Sequence, residues 1–195
     1  MKKKKKYSPI VFRQGPRLYL RPVEEADLPL LVRYMNDPQV TQFLSMSRPV
    51  SIDQERDWFK NLVSRENDVI VAVVTNRGLT IGTIGLHRIN WIDGTAVTGS
   101  AIGDTNYWDK GFGTEAKMLL LEYGFNTLNL RKICSSVYDF NGRSMAALKK
   151  QGYVPEGILR QQHYRVGRLV DEHQFALFKE TFLRVYATYK KKYGL

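Results

Sequence analysis

The 195-residue sequence has one cysteine, no long apolar run and no spaced set of metal ligands, and each absence narrows its possible functions. Cys134 has no partner for an internal disulfide, so a reducing compartment and a cytoplasmic location are expected. No run approaches the roughly 20 apolar residues of a membrane span, and no apolar segment follows the lysines at 2–6, so no signal peptide is expected. The few histidines are not spaced as ligands, and no metal is predicted.

Two common nucleotide-binding loops are also missing. Neither the Gly-Lys-Ser/Thr end of a Walker loop nor the three-glycine dinucleotide pattern occurs around Gly111 and Gly113. The chain has instead a shorter loop at 108–116, which follows an extended segment at 95–103 and runs into a helix. The rest of the chain is organised around this loop.

The loop at 108–116 predicts an anion site. The apolar residues that begin at its end recur at the spacing of one helix face: Ala116, Leu119, Leu120 and Tyr123. Gly111 and Gly113 have no side chains, so several backbone N–H groups can approach one point at the positive end of the helix dipole. This favours the pyrophosphate of a nucleotide-type cofactor. The alternative is an ordinary strand-to-helix turn that contains two glycines.

Composition indicates one domain with a basic extension. With 43% hydrophobic and 12% aromatic residues, the chain can build one core over 16–195, after a basic tail at 1–15 that is expected to be disordered. Eight of the eleven net positive charges come from the lysines at 2–6 and 190–192. These tails could contact a ribosome, other nucleic acid or an anionic surface through screened attraction. A solvated, disordered end is the alternative interpretation.

Strand and helix patterns are mixed along the chain in the order β, α, α, β, β, β, α, β, α, β, β, α. Three consecutive strands between 69 and 103 are joined by short turns, which favours an antiparallel meander and excludes a purely parallel sheet. The sequence therefore predicts a mixed α/β fold, of α+β type, with one mostly antiparallel sheet and helices on both faces.

Two separated motifs resemble the GNAT acetyltransferase superfamily. The first joins Ala101-Ile102-Gly103 to the loop at 108–116, and the second begins at Asn141 and Ser144 and ends in Lys150-Gln151-Gly152-Tyr153. The likeness extends over about residues 16–180 and is greatest to the branch that contains the ribosomal-protein N-terminal acetyltransferases. It implies the GNAT fold, in which a central parallel strand pair, here 95–103 and 131–138, is splayed apart.

The resemblance also implies acetyl-CoA as the cosubstrate and assigns its contacts. Backbone N–H groups of the loop would hold the pyrophosphate, a strand would pair its backbone with the pantetheine arm, and a helix would contact the arm and the thioester sulfur. The implied residues are Lys110, Gly111, Phe112, Gly113 and Thr114 in the loop, Ala101 and Ile102 in the strand, and Asn141 and Ser144 in the helix.

Two positions that carry catalytic groups in many superfamily members hold apolar residues in this chain. Val97 stands where many members have an acid that acts as a base, and Leu148 stands where many have a tyrosine that protonates the leaving thiolate. Because histidine titrates closest to neutral pH, the base is sought among the histidines. His163 lies between the last two strands, where the branch can hold a glutamate. An exposed loop histidine is the alternative.

Three further residues could take part in the chemistry. Ser144 is expected to donate a hydrogen bond to the thiol side, although it could instead satisfy a backbone group of its own helix. His87 alternates with Gly85 along a strand, and this pattern is compatible with a core or surface histidine or with a wall of an acceptor cleft. His173 is expected to be structural. His163 and Ser144 are therefore the predicted catalytic residues.

The sequence thus predicts an acetyl-CoA-dependent N-acetyltransferase that acts on a primary amine by direct transfer in a ternary complex. The amine could belong to a protein N-terminus or to a small molecule. Because of Val97 and Leu148, a non-catalytic CoA-binding protein, or an RNA- or ribosome-associated one, remains the alternative. No membrane partner is expected, and the chain could be a monomer or a homodimer.

Overall fold

The computed structural model of the protein describes residues 10–46 and 48–194, and within them it contains eight strands and six α-helices. The strands are β1 (Arg13–Gln14), β2 (Leu18–Pro22), β3 (Val69–Thr75), β4 (Thr80–Asn90), β5 (Thr95–Ile102), β6 (Lys132–Tyr138), β7 (Val154–Arg165) and β8 (Arg168–Phe178). The helices are α1 (Leu28–Met35), α2 (Pro38–Thr41), α3 (Ile52–Lys60), α4 (Phe112–Glu122), α5 (Gly142–Lys150) and α6 (Lys179–Tyr193).

The strands form one sheet in the order β1-β2-β3-β4-β5-β6-β8-β7, which confirms the mixed α/β fold. Neighbouring strands are antiparallel except for β5 and β6, which run parallel. The pairing of β5 with β6 covers residues 95–97 against 132–134 and ends at Val97 and Cys134. Beyond this point the two strands diverge, and we call the opening between residues 98–102 of β5 and 135–138 of β6 the fork.

Alternate positions of the strands build two cores on opposite faces of the sheet, because successive side chains of a strand point to opposite sides. Leu18 and Leu20 join a large core that includes residues of α4 and α6. Tyr19 and Ala72 face the other way and pack with residues of α1 and α3 in a smaller core. Helices therefore cover both faces, as predicted.

Helix α4 is more deeply buried than its apolar spacing predicts. The spacing indicates one apolar face, whereas every residue from Glu115 through Leu121 is buried, because α4 contacts strands of the sheet on one side and α6 on the other. Two charged side chains, Glu115 and Lys117, are consequently held in the interior. Charged groups are rarely buried without a specific partner, so both need an explanation.

Two boundaries differ from the sequence-based expectation. Arg13 and Gln14 lie inside the tail assigned to 1–15, yet they form β1 and pair with Leu20 and Tyr19. Residues 1–9 of that tail lie outside the described residues. The last hairpin is longer than expected, since β7 and β8 continue to a tight turn at 166–167. His163 therefore lies within a strand and not in a polar connection.

Two expected helix starts are confirmed by their caps. The Ser51 side chain accepts a hydrogen bond from the backbone N–H of Gln54, and the Gln54 side chain accepts one from the backbone N–H of Ser51, which is the capping box that begins α3. The Asn141 side chain accepts from the backbone of Ser144 at the start of α5.

Neither a membrane span nor a metal-ligand cluster is found in the part of the chain described. None of its helices has the length and hydropathy needed to cross a bilayer. None of its groups of three or more His, Cys, Asp or Glu side chains is arranged to hold a metal ion.

Candidate active site

The loop before α4 presents three backbone N–H groups at one helix end. Gly111 precedes the helix in a left-handed conformation (φ +79°), which an L side chain rarely adopts. The first helical hydrogen bond runs from the Glu115 N–H to the Gly111 carbonyl at 3.0 Å. The N–H groups of Phe112, Gly113 and Thr114 therefore have no acceptor one turn earlier. We call these three N–H groups the cradle, and they are the donors available to the anion that the loop is predicted to bind.

An ion pair between a buried carboxylate and a partly exposed arginine supports the cradle from behind. Glu115, which is 1% exposed, lies 2.7 Å from Arg17 Nε and also accepts the backbone N–H of Arg17 at 2.8 Å. Arg17 Nη1 in turn donates to the Lys110 carbonyl at 2.8 Å, and the guanidinium stacks over the Phe112 ring at 4.5 Å. Arg17 thus engages a carbonyl whose negative end would otherwise repel an anion in the cradle. The sequence alone indicates no role for this pair, although both residues lie within residues 16–180, which resemble the GNAT superfamily.

The fork lies beside the cradle. Ala101 and Ile102 occupy the part of β5 that has left β6, where the resemblance assigns the pantetheine arm. The indole Nε1 of Trp108 donates to the Ile102 carbonyl at 2.7 Å and so ties the loop to the end of β5. A phosphate-sized cradle next to an opening between parallel strands fits acetyl-CoA, because its pyrophosphate and its extended arm need these two features.

Helix α5 brings Asn141 and Ser144 to the same region. The guanidinium of Arg143 lies 3.8 Å from the Trp108 ring centroid, which joins the start of α5 to the cradle loop. The Asn141 Oδ1 accepts the Ser144 N–H at 3.1 Å, so the Asn141 Nδ2 amide is the group suited to contact a pantetheine carbonyl. Leu148 is fully buried in the large core, so this position brings no acid to the site.

A cavity of about 630 Å³ lies between the sheet and the α1–α3 region, and we call it the acceptor cavity. Its volume falls within the roughly 300–1,000 Å³ of small-molecule sites. Residues of β4 and β5 form its floor, and Met46 and Arg48 contribute to its walls. The lining residues used below are Arg48, Glu55, Arg65, His87, Gly99 and Ala101. Because β5 borders both the cavity and the fork, an acceptor and the cofactor arm would meet along one strand.

Glu55 is the carboxylate among the residues that line the acceptor cavity. It is 7% exposed, and burial raises the pKa of its carboxyl above the ordinary value. Among the described residues, no cation lies within ion-pair distance of it. An isolated buried carboxylate is costly, and a bound ammonium would supply the counter-charge that the protein does not.

His87 also lines the acceptor cavity, and its ring lies across a cross-strand pair of glycines. A Cβ at Gly85 or Gly99 would come within 3.0 Å of His87 Nε2, so the imidazole occupies space that only glycine leaves at these paired positions. His87 pairs directly with Val97, and side chains of directly paired residues share one face of the sheet. The imidazole is thus on the same face as the position where many superfamily members carry an acid.

Asp68 holds the other side of the His87 ring. Its Oδ2 lies 3.5 Å from His87 Nδ1, and its Oδ1 accepts the Arg88 N–H at 2.9 Å. Burial opposes the charge of Asp68, but the Arg88 hydrogen bond and the proximity of His87 outweigh it and hold the pKa of this carboxyl below its usual value. A carboxylate at Nδ1 orients an imidazole so that Nε2 is the nitrogen offered to a substrate.

His163 has a different environment from the one expected. Its Nε2 lies 3.1 Å from Glu172 Oε2, and its ring packs 5.2 Å from that of Tyr138. It does not belong to the described residues that line the acceptor cavity. His87 is therefore the histidine that the structure brings to the cavity, whereas the sequence favours a core or surface position for it.

Comparison with known proteins identifies the family. Residues 17–154 match the acetyltransferase (GNAT) domain. An N-acetyltransferase of Bacillus licheniformis, p20, is 34% identical over 170 residues, which cover 85% of this chain and 95% of that protein. Spermidine N(1)-acetyltransferase of Escherichia coli K12 is 24% identical and is matched over 87% of this chain and 90% of its own length.

Solved structures share the fold. The spermidine N-acetyltransferase of Vibrio cholerae, crystallised with CoA and spermine, superimposes with a TM-score of 0.81 over 87% of this chain and 99% of that one, at 24% identity. A crystal structure titled as a putative acetyltransferase gives 0.77 at 26% identity and covers 94% of each chain. The chain belongs to the GNAT acetyltransferase family and is an acetyl-CoA-dependent acyltransferase.

Proposed function

We propose that this enzyme transfers the acetyl group to the primary amine of a small molecule bound in the acceptor cavity, with His87 as the general base. The observation that carries the proposal is the position of His87, which lines the cavity and lies across the strand from Val97, where many superfamily members have an acid. Acetyl-CoA, when bound at the cradle and fork, supplies the acetyl group as a thioester.

The main task of the residues around the amine is to remove one proton. Deprotonating an alkylammonium at pH 7 costs about 4 to 5 kcal/mol, and deprotonating an α-ammonium costs about 1 kcal/mol, at 1.36 kcal/mol per pKa unit. His87 Nε2, oriented by Asp68, is placed to accept that proton directly or through a water molecule. A backbone N–H of β5 near Ile102 is proposed to stabilise the thioester oxygen.

Two roles that the sequence suggests remain proposals: Ser144 as a donor to the thiolate and His163 as a base. Ser144, at the start of α5, is proposed to donate a hydrogen bond to the departing thiolate. A thiol has a pKa of about 8.5, so protonation of the leaving thiolate near neutral pH helps the reaction but does not require a strong acid. His163 is the alternative base, and its pairing with Glu172 would orient its ring as Asp68 orients that of His87.

The charges of the acceptor cavity favour an amine with a single positive charge. Arg48 and Arg65 line the cavity together with one carboxylate, Glu55, and Arg65 forms an ion pair with Asp68 at 3.6 Å, so a molecule with several ammonium groups would find only one carboxylate in the lining to receive them. The relatives from Escherichia coli and Vibrio cholerae are spermidine acetyltransferases. We propose that the acceptor here is instead a monoamine with an apolar body, whose ammonium is held by Glu55.

Glu55→Gln is expected to raise KM for such an amine by about tenfold or more, because a hydrogen bond to a charged partner is replaced by a neutral one. Since burial raises the pKa of Glu55, wild-type KM should also rise as the pH falls through that raised value, whereas KM of the variant should not follow it. Steady-state kinetics with monoamines and spermidine would measure both. Glu66→Gln, at an exposed position, is the matched control, and equal effects in the two variants would contradict the role of Glu55.

Cofactor binding can be tested by titration calorimetry with acetyl-CoA on the wild type and on Gly113→Glu. The carboxylate is placed in the cradle, so binding is expected to be lost through like-charge repulsion. Gly157→Glu serves as control, because an added Cβ at this exposed glycine contacts nothing. Failure of folded wild-type protein to bind acetyl-CoA would contradict the cradle itself.

Two narrower predictions have less support: membership of the ribosomal-protein acetyltransferase branch, and contact with a ribosome or nucleic acid. The relatives named above do not point to the ribosomal-protein branch of the superfamily. The lysines at 2–6, on which ribosome or nucleic-acid contact depends, lie outside the described residues. Both remain predictions from the sequence.

A further inference from the structure

Lys117 is a buried cation that neither the cradle nor the acceptor cavity uses. It stands on α4, five residues after Phe112, and is 6% exposed. Within the described residues it has no carboxylate partner, and burial lowers the pKa of its ammonium to about 8. A methionine or leucine would fill this space without that electrostatic cost. The charge therefore needs a functional reason.

The contacts of Lys117 lie at the point where β5 and β6 separate. Its Nζ is 3.2 Å from the hydroxyl of Thr98 and 3.4 Å from that of Ser135. Thr98 is the first residue of β5 after the last paired position, and Ser135 is the first residue of β6 after its partner position. One ammonium thus bridges the two strands at the base of the fork.

The surrounding hydrogen bonds make this bridge specific. The Thr98 hydroxyl also lies 3.2 Å from the Cys134 carbonyl and 3.4 Å from the Tyr153 hydroxyl, so its position is fixed from β6 and from the segment after α5. An ammonium has three donors, and two of them face these two strands. The third donor has no hydrogen-bond partner among the described residues.

We propose that Lys117 is a positioning residue for acetyl-CoA: by bridging Thr98 and Ser135 it sets the separation of the two strands at the base of the fork and fixes the end of the pantetheine arm. The inference rests on binding of acetyl-CoA at the cradle and fork. An arm that starts at the cradle and follows β5 from Ile102 back to Thr98 passes four residues, about 13 Å at 3.3 Å per residue. That path ends beside the ammonium, so Lys117 acts on the arm and not on the pyrophosphate.

The test compares two ligands on Lys117→Met, which keeps the length of the side chain and removes its charge and donors. Acetyl-CoA is expected to bind about tenfold more weakly or worse, because donors from a charged group are lost. Binding of 3′-phospho-ADP, which has the nucleotide of CoA but no pantetheine arm, is expected to be unchanged. Calorimetry measures both, and Lys149→Met, an exposed lysine on α5, is the control.

Thermal unfolding separates this role from a purely structural one. Because the buried charge is unfavourable, Lys117→Met should melt no lower than the wild type. Ser135→Ala removes only one partner of the bridge and should weaken acetyl-CoA binding less than Lys117→Met does. Because both variants act on the same bridge, their effects on acetyl-CoA affinity should not add in the double variant. This second variant also keeps the test valid if Lys117→Met does not fold.

The outcomes are distinct. Unchanged acetyl-CoA binding in Lys117→Met, or equal weakening of both ligands, would overturn the role assigned to Lys117. The same conclusion would follow if Ser135→Ala left acetyl-CoA binding unaltered. Absence of acetyl-CoA binding by the wild type would instead show that the cradle and fork do not bind the cofactor.

Discussion

Replacing His87 by glutamine is expected to lower kcat by about 10²- to 10⁴-fold, the usual contribution of a positioned general base. The substitution keeps a polar side chain of similar reach in the space above Gly85 and Gly99 but removes a group able to accept the amine proton. Affinity for acetyl-CoA should not change, because His87 lines the acceptor cavity and lies outside the cradle. Steady-state kinetics and calorimetry on the same preparation would measure the two quantities.

The matched control is His163→Gln, which makes the same change in the histidine paired with Glu172. We expect it to alter kcat by less than tenfold. Asp68→Asn should give an intermediate loss, because the imidazole remains but its Nδ1 partner is weakened. A large loss in His163→Gln together with a small one in His87→Gln would contradict the assignment to His87 and return the role of base to His163.

The second large effect is expected for Arg17→Met, which should lower the free energy of unfolding by about 3–5 kcal/mol. The variant leaves the Glu115 carboxylate buried without its cation. The free-energy penalty of this unpaired charge exceeds the stabilisation that the ion pair contributed. It should also weaken acetyl-CoA binding, because the Lys110 carbonyl loses its donor next to the cradle. Urea unfolding and calorimetry would measure the two effects.

Arg13→Met is the matched control, since Arg13 pairs at 3.2 Å with Glu122, whose side chain is 24% exposed, whereas that of Glu115 is 1% exposed. Solvent-accessible pairs contribute about 1 kcal/mol or less. Combining Arg17→Met with Glu115→Leu should recover much of the stability, because an apolar pair replaces a buried ion pair. Acetyl-CoA affinity should stay low in this double variant. Equal costs for Arg17→Met and Arg13→Met would contradict the role of burial.

Together these tests distinguish the parts of one site. Variants of Arg17 and Gly113 test binding of the nucleotide end of the cofactor, and the variant of Lys117 tests binding of the arm. Variants of His87 and Glu55 test the reaction and binding of the acceptor. A change at one end should therefore leave ligands of the other end unaffected. This separation follows from the geometry, in which β5 is bordered by the fork and by the acceptor cavity.

Local features of this protein were determined by the sequence alone. The order of strands and helices after β1, the caps at Ser51 and Asn141, and the glycine loop before α4 all depend on residues close together in the chain. Such features follow from backbone conformation, hydrogen bonds over a few residues and hydrophobic spacing. For that reason the cofactor end of the site could be anticipated from the sequence.

The acceptor end was decided by the tertiary structure. His87 gains its position from cross-strand register with Val97 and Gly99, and Glu55 faces the cavity only because α3 packs over the sheet. Lys117 lies on a helix whose spacing predicts one apolar face, yet packing on two sides takes its ammonium to the base of the fork. These relations join residues that are distant in sequence, so no local pattern encodes them, and only the packed sheet and helices bring them together.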